Sequence, residues 1–285
     1  MSETDAGRGL SIRGLTLTIA TKQAKTPILR GIDLDVPMGA VTGLAGESGS
    51  GKTMTGLAVC GLQPAGSIVG GTVELNSERM QVANVLSLRS RSLNRVRGRE
   101  IAVVFQDPTA SLHPMISIGG QLTDHMRHHL GLSKKDARDR AVELLSRVRV
   151  PDPRDALGKY PHQFSGGQLQ RIAIASAIAC DPGVLIADEP TTALDVTVQA
   201  GVLRLLRELC DDLGLAVLLV THDLGVMSAV ADTIAVMHKG QIVEHGDRYQ
   251  VIREPRSDYT RSLIESLPHT PPPGAGYDEE VPDVR

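Results

Sequence analysis

Residues Gly46-Glu47-Ser48-Gly49-Ser50-Gly51-Lys52-Thr53 bring glycines, a lysine and a hydroxyl together at the spacing of a P-loop. Glycines let the backbone curl so that consecutive N–H groups turn inward around phosphate oxygens, and a helix after the loop adds the positive end of its dipole. Lys52 is then a mobile charge for the terminal phosphates, and the Thr53 hydroxyl is a ligand for Mg²⁺. Further along, Val184-Leu185-Ile186-Ala187-Asp188-Glu189 is an apolar run that delivers two carboxylates at its end. Ligands of open α/β sheets collect at the carboxyl ends of strands. Successive strand residues point to opposite sides, so Asp188 is placed to hold the Mg²⁺ shell while Glu189 faces the γ-phosphate and polarises an attacking water.

Two more features extend this chemistry. Ser165-Gly166-Gly167-Gln168 follows Phe164 and opens a helical stretch, which leaves free N–H groups at a helix start and makes a second phosphate-binding surface. The alternative is a common Ser-Gly-Gly linker. One ATP cannot engage both surfaces of one chain if they lie on separate subdomains, so the second surface is expected to meet the γ-phosphate bound to a neighbouring subunit. His222 follows the apolar run Ala216–Val220, where an imidazole at a strand's carboxyl end can donate to phosphate and position water.

These side chains need elements to hold them. Leu15, Leu17 and Ile19 alternate with threonines, and Ile32, Leu34 and Val36 alternate with aspartates, the period of half-buried antiparallel strands. Val41–Ala45 reads as the strand entering the P-loop and 54–62 as the helix leaving it. Gly70, Gly71, Val73 and Leu75 suggest another strand, 101–105 reads as an apolar strand, and 184–187 and Ala216–Val220 suit a parallel sheet. Residues 116–150 turn helical, with Leu122, Met126, Leu130, Ala141, Leu144, Leu145 and Val148 in phase, and 165–179 does so again. The arginine-rich stretch 89–99 reads as a solvated surface helix, with contact to a partner as the alternative. Residues 1–9 and 268–285 are expected to be disordered.

At 285 residues, one α/β domain with a helical insertion and a tail is expected. A net charge of -3 and 2% aromatic content argue against nucleic acid as a partner. Cys60, Cys180 and Cys210 lack the spacing of a zinc site or disulfide framework, which suits a reducing cytoplasm. Met1–Gly9 does not read as a secretory signal, and no apolar run approaches the roughly 20 residues of a membrane span, so membrane association is expected through a partner.

Taken in order, the P-loop, Gln106 after 101–105, the Ser165–Gln168 signature, Asp188-Glu189, Ala193-Leu194-Asp195 and Thr221-His222-Asp223 resemble an ABC-family ATPase over nearly the whole chain. The resemblance implies a P-loop NTPase (RecA-like) core with an antiparallel β subdomain and an inserted α-helical subdomain. The ATPase domain would span 10–267, with the helical subdomain at about 107–180 and a C-terminal extension at about 247–267. It implies ATP and Mg²⁺, with Thr53, Gln106 and Asp188 around the metal and Glu189, His222 and Gln106 as the catalytic set. Gln106 would sense metal and lytic water and link the site to the helical subdomain. His222 would contact the γ-phosphate, and Asp195 would communicate across the interface with a second ABC ATPase subunit, a sister or another copy.

Finer strings resemble one branch: Phe105-Gln106-Asp107-Pro108 with Ser111-Leu112-His113-Pro114, Tyr160-Pro161-His162-Gln163-Phe164-Ser165, DEPTTALDVTVQ from Asp188, and Asp258-Tyr259-Thr260-Arg261-Ser262-Leu263. These are similar to the importer ATPases for oligopeptides, dipeptides and nickel. The branch implies two transmembrane permease subunits, an extracytoplasmic substrate-binding protein and a place at the cytoplasmic face of the cell membrane. ATP hydrolysis to ADP and phosphate would be coupled to uptake of peptides, with nickel or another small solute as the alternative. Soluble ABC proteins of DNA repair split the nucleotide domain around a coiled coil and those of translation fuse two domains, whereas this chain carries one uninterrupted motif set. A P-loop kinase or GTPase has no need of Ser165–Gln168 or His222. Three departures stand out. Ile19 takes the place where the family stacks adenine on an aromatic, no cysteine follows Cys210 so no iron-sulfur cluster is expected, and His113 replaces a common Asn.

Overall fold

The computed structural model describes residues 8–21, 24–77, 79–192 and 194–266. The expected disordered tail 268–285 and all but the end of 1–9 lie outside these residues, as does Ala193. Gly9 already belongs to the first strand, which therefore begins inside the stretch expected to be loose.

The alternating segments form an antiparallel sheet of β1 (Gly9–Ala20), β2 (Lys25–Pro37), β4 (Ser67–Asn76) and the short β5 (Gln81–Val82), in the order β2-β1-β4-β5. Leu15, Leu17, Ile32, Leu34 and Val36 point inward and are fully or almost fully buried. The second sheet holds β3 (Val41–Ala45), β6 (Ile101–Val104), β7 (Val184–Asp188), β8 (Ala216–Val220), β9 (Thr233–His238) and β10 (Gln241–Asp247), ordered β10-β9-β3-β8-β7-β6. Every pair from β9 to β6 is parallel, and β10 adds antiparallel to β9. β3, β7 and β8 are buried at every position, as a sheet covered on both faces requires. Val184, Ile186 and Leu218 face a core shared with the antiparallel sheet, while Leu185, Ala187, Val217 and Leu219 face the helices.

Register decides where function can sit. Leu44 and Asp188 both pair with Val220, and Val104 pairs with Ala187. The carboxyl ends of β3, β8, β7 and β6 therefore finish level along one edge, and the loops leaving them meet there.

α1 (Lys52–Val59) starts two residues earlier than its apolar pattern suggests, because Gly51, at φ 111°, ends the loop in a left-handed turn. It stops short of Leu62 at a turn through Gly61, φ 64°. The arginine-rich stretch contains α2 (Ser90–Val96). Arg97 turns inward to donate to the carbonyls of Cys60 at 2.7 Å and Gly61 at 2.5 Å, while Arg89, Arg91, Arg95 and Arg99 stay exposed. Between the neighbouring strands β6 and β7 run α3 (Pro108–Ser111), α4 (Ile118–Leu130), α5 (Lys134–Arg147), α6 (Pro153–Ala156) and α7 (Gly166–Ile178). The helical stretch 116–150 is two helices: Gly131, φ 69°, ends α4, and the Ser133 hydroxyl accepts the Asp136 N–H to start α5. α8 (Val196–Leu213) and α9 (Leu224–Val230) cover the helical face, and α10 (Arg248–Arg253) and α11 (Asp258–Glu265) close the described chain. Among the described residues no helix is long and apolar enough to cross a membrane.

Candidate functional site

β3 delivers the chain to Gly46, whose φ of 147° only glycine adopts readily; a Cβ there would run into the Met237 carbonyl oxygen. Gly49 and Gly51 also have positive φ, so the loop curls back on itself before α1 begins. Lys52 folds into this curl, 5% exposed, and donates to the carbonyls of Gly46 at 2.7 Å and Glu47 at 2.9 Å. Burial pushes its ammonium below the ordinary lysine value, against the opposing pull of Glu189, Asp188 and Glu47. The Ser50 hydroxyl is buried in the same loop with no hydrogen-bond partner. A desolvated cation beside a buried, unpartnered hydroxyl fits a site built for an anion.

Asp188, at the end of β7, meets Thr53 in the first turn of α1: the Thr53 hydroxyl donates to Asp188 Oδ1 at 3.1 Å. Burial raises the Asp188 carboxyl above its usual range despite the Thr53 hydrogen bond and the charge of Lys52. Two hard oxygen donors, one of them a carboxylate disfavoured in its charged form until a cation arrives, suit Mg²⁺. Glu189 departs from the strand with φ 46°, a left-handed conformation unusual for a non-glycine residue, and its N–H donates to the Val220 carbonyl at 2.8 Å. Gln106 Nε2 and the Thr192 hydroxyl donate to Glu189 Oε2 at 3.2 and 2.9 Å, and His222 Nδ1 lies 3.3 Å from Oε1. The three sequence-selected residues Gln106, Glu189 and His222 thus converge on one carboxylate. Thr192 is the member missed from the sequence, and its only signal was its place three residues after Glu189 in the DEPTT string.

Ser165 caps α7 in a reciprocal box: its hydroxyl accepts the Gln168 N–H at 3.4 Å, and its own N–H donates to Gln168 Oε1 at 3.0 Å. Gln168 therefore spends its side-chain acceptor inside the chain, while Ser165 and Gly166 are exposed at the helix start. Gly166 and Gln106 line one small cleft with Pro190 and Leu194. A Cβ on Gly167 would meet Val198 at 2.5 Å, so glycine here lets α7 approach α8 closely. Asp195 caps α8, its Oδ1 accepting the Val198 N–H at 2.9 Å, and Val196 beside it is 83% exposed.

The other residues singled out in the sequence make contacts of their own. Ile19 pairs across to Thr26 and Ser67 near the end of β1. His113 gains a local account: its Nδ1 accepts the Met115 N–H at 3.2 Å, a turn-closing role that an Asn carbonyl also performs. Cys60, Cys180 and Cys210 are buried, and burial raises their thiols to about 12, about 11 and about 11. One contact had no sequence signal at all. The Glu47 N–H in the glycine loop donates to the hydroxyl of Tyr259 in α11, at 3.3 Å.

Comparison with known proteins follows the same lines. The ABC transporter family profile matches residues 29–192. An ATP-binding protein of Brucella melitensis, named for peptide import, is 42% identical over 261 residues, covering 91% of this chain and 77% of that protein. The oligopeptide transport ATP-binding protein AppD of Bacillus subtilis is 41% identical over 261 residues, covering 91% and 78%. Among solved structures, the dimeric ATP-binding cassette MJ0796 in a post-hydrolysis state bound to ADP and Pi superposes with a TM-score of 0.71 and 27% identity, over 84% of this chain and 98% of that one.

Proposed function

This chain belongs to the ABC transporter family, and from that premise we propose that it is the ATP-binding and ATP-hydrolysing subunit of an importer that couples hydrolysis to the uptake of peptides. The observation that carries the hydrolytic reading is the Glu189 carboxylate, gathered with Gln106, Thr192 and His222 at the sheet edge where the P-loop and Asp188 also end. The peptide cargo rests on the names of the relatives, and nickel or another small solute remains the alternative cargo class. The ATPase domain is assigned to 10–267, with the helical subdomain at about 107–180 and the C-terminal extension at about 247–267.

In this reading residues 46–53 and Lys52 grip the phosphates, and Thr53, Asp188 and Gln106 hold Mg²⁺. Mg²⁺ held by these residues would supply positive charge against the phosphates. Glu189 accepts a proton from the attacking water while Gln106 and His222 orient that water and contact the γ-phosphate, so that ATP and water give ADP and phosphate. Ser165, Gly166, Gly167 and Gln168 complete the site bound to a second ABC ATPase subunit, and Asp195 links the two sites. By its likeness to peptide import ATP-binding proteins, the partners proposed are two transmembrane permease subunits and an extracytoplasmic substrate-binding protein, with neither nucleic acid nor an iron-sulfur cluster in the proposal. The chain then sits at the cytoplasmic face of the cell membrane through the permeases.

The test is Glu189→Gln, an isosteric change that removes the base and leaves the phosphate cradle. ATP binding is retained, turnover drops by about a hundredfold or more, and ATP-dependent dimers accumulate in light scattering after gel filtration. Turnover at the wild-type rate would end the Glu189 assignment, and a chain purified without permease subunits from its native membrane would count against the importer.

A further inference from the structure

The sequence string Asp258-Tyr259-Thr260-Arg261 plays no part in the hydrolytic site, yet it lies behind the glycine loop. We infer that α11 is a brace for the nucleotide-binding loop and that Tyr259 is a positioning residue for ATP. The Tyr259 hydroxyl accepts the Glu47 N–H at 3.3 Å. The other end of the same residue's backbone is equally engaged: the Glu47 carbonyl accepts from Lys52 Nζ at 2.9 Å and from the Ser50 N–H at 3.2 Å. Tyr259 therefore fixes, from behind, the residue whose carbonyl steadies the phosphate-binding lysine.

The brace is itself held on three sides. The Tyr259 ring lies against the His238 ring, centroids 3.9 Å apart. His238 ends β9, whose preceding residue Met237 backs Gly46, and the turn after it donates from the Gly240 N–H to the Ser50 carbonyl at 2.9 Å. Leu263 packs into the main core together with Tyr259 and Ile264. The buried Glu244 carboxylate accepts the N–H groups of Arg256 at 2.8 Å and Ser257 at 3.0 Å, so the approach to α11 is fastened to β10. A hydroxyl presented by a helix fixed at both its start and its apolar face holds the loop rather than following it.

This inference rests on the ATP-hydrolysing reading above. Its test is Tyr259→Phe in the assembled transporter, which keeps the ring against His238 and deletes only the hydroxyl. The apparent KM for ATP rises about threefold, the effect of one lost neutral hydrogen bond, while kcat stays within about twofold. ATP binding measured by calorimetry in a Glu189→Gln background weakens by the same factor, and the nucleotide-free melting temperature falls by no more than about 1–3 °C. Unchanged KM and unchanged ATP affinity overturn the brace while leaving the hydrolytic reading intact, as does a loss confined to kcat. A wild-type protein that binds no ATP overturns both.

Discussion

Asp188 and Lys52 are each buried with a charge that the folded chain by itself disfavours: burial raises the carboxyl and lowers the ammonium. A site of this kind trades stability for readiness to receive opposite charges from outside. Asp188→Asn keeps an acceptor for the Thr53 hydroxyl and removes the buried charge. The nucleotide-free variant is therefore expected to melt at the wild-type temperature or about 1–4 °C above it, while Mg-dependent hydrolysis falls about a hundredfold or more. A clearly lower melting temperature would show that the Asp188 charge supports the fold instead. These residues were readable in the sequence because the chemistry is local: glycines, a lysine and a hydroxyl in eight positions, or two acids after a buried run. Thr192 was not, since a hydroxyl becomes a partner of Glu189 only through the left-handed turn at Glu189 itself, and backbone conformation at a non-glycine residue leaves no compositional mark.

Strands and long helices were legible for a related reason. Their burial alternates or recurs with the period of the element, so Leu15 with Leu17 or Leu122 with Met126 announce a face before the fold is known. Boundaries moved where a single residue's φ decided them, as at Gly51 for α1 and Gly131 for α4. α10 and α11 are six and eight residues long, too short to show a period, and what secures them is distant. Glu244 is 7% exposed, and although burial pushes its carboxyl up, the N–H groups of Arg256 and Ser257 and the Gln250 amide outweigh that and hold it below its ordinary value of 4.5. A carboxyl depressed in the folded state contributes stability above its unfolded value and loses it as pH falls through the folded one. Glu244→Ala is thus expected to lower the melting temperature at pH 7 by roughly 3–6 °C, with the gap to wild type narrowing as pH drops below 4.5. Thermal unfolding of both proteins across that range decides it, and a gap independent of pH would contradict the carboxylate's role.

For the whole molecule, the parallel register brings the P-loop, Gln106, Asp188, Glu189 and the loop to His222 to one sheet edge, while the capped start of α7 belongs to the helical insertion between β6 and β7. Ser165 and Gly166 are exposed there; Gln168 Oε1 accepts the Ser165 N–H and the Ser165 hydroxyl accepts the Gln168 N–H, while the N–H groups of Gly166 and Gly167 have no carbonyl one turn back within the helix to donate to. On the function proposed above, these are two half-sites, each completed by another subunit. The order of motifs along the chain implies that division, but the partner's identity is not written in it, because the surfaces that would meet belong to different chains. The most direct measurement is a structure of the transporter trapped with ATP through Glu189→Gln. The account predicts the γ-phosphate of the ATP on Lys52 within hydrogen-bond reach of the serine that opens the corresponding helix of the opposite ATPase subunit, with this chain's Ser165 on the opposite nucleotide. A γ-phosphate touched by this chain alone, with Ser165 facing solvent, would contradict it.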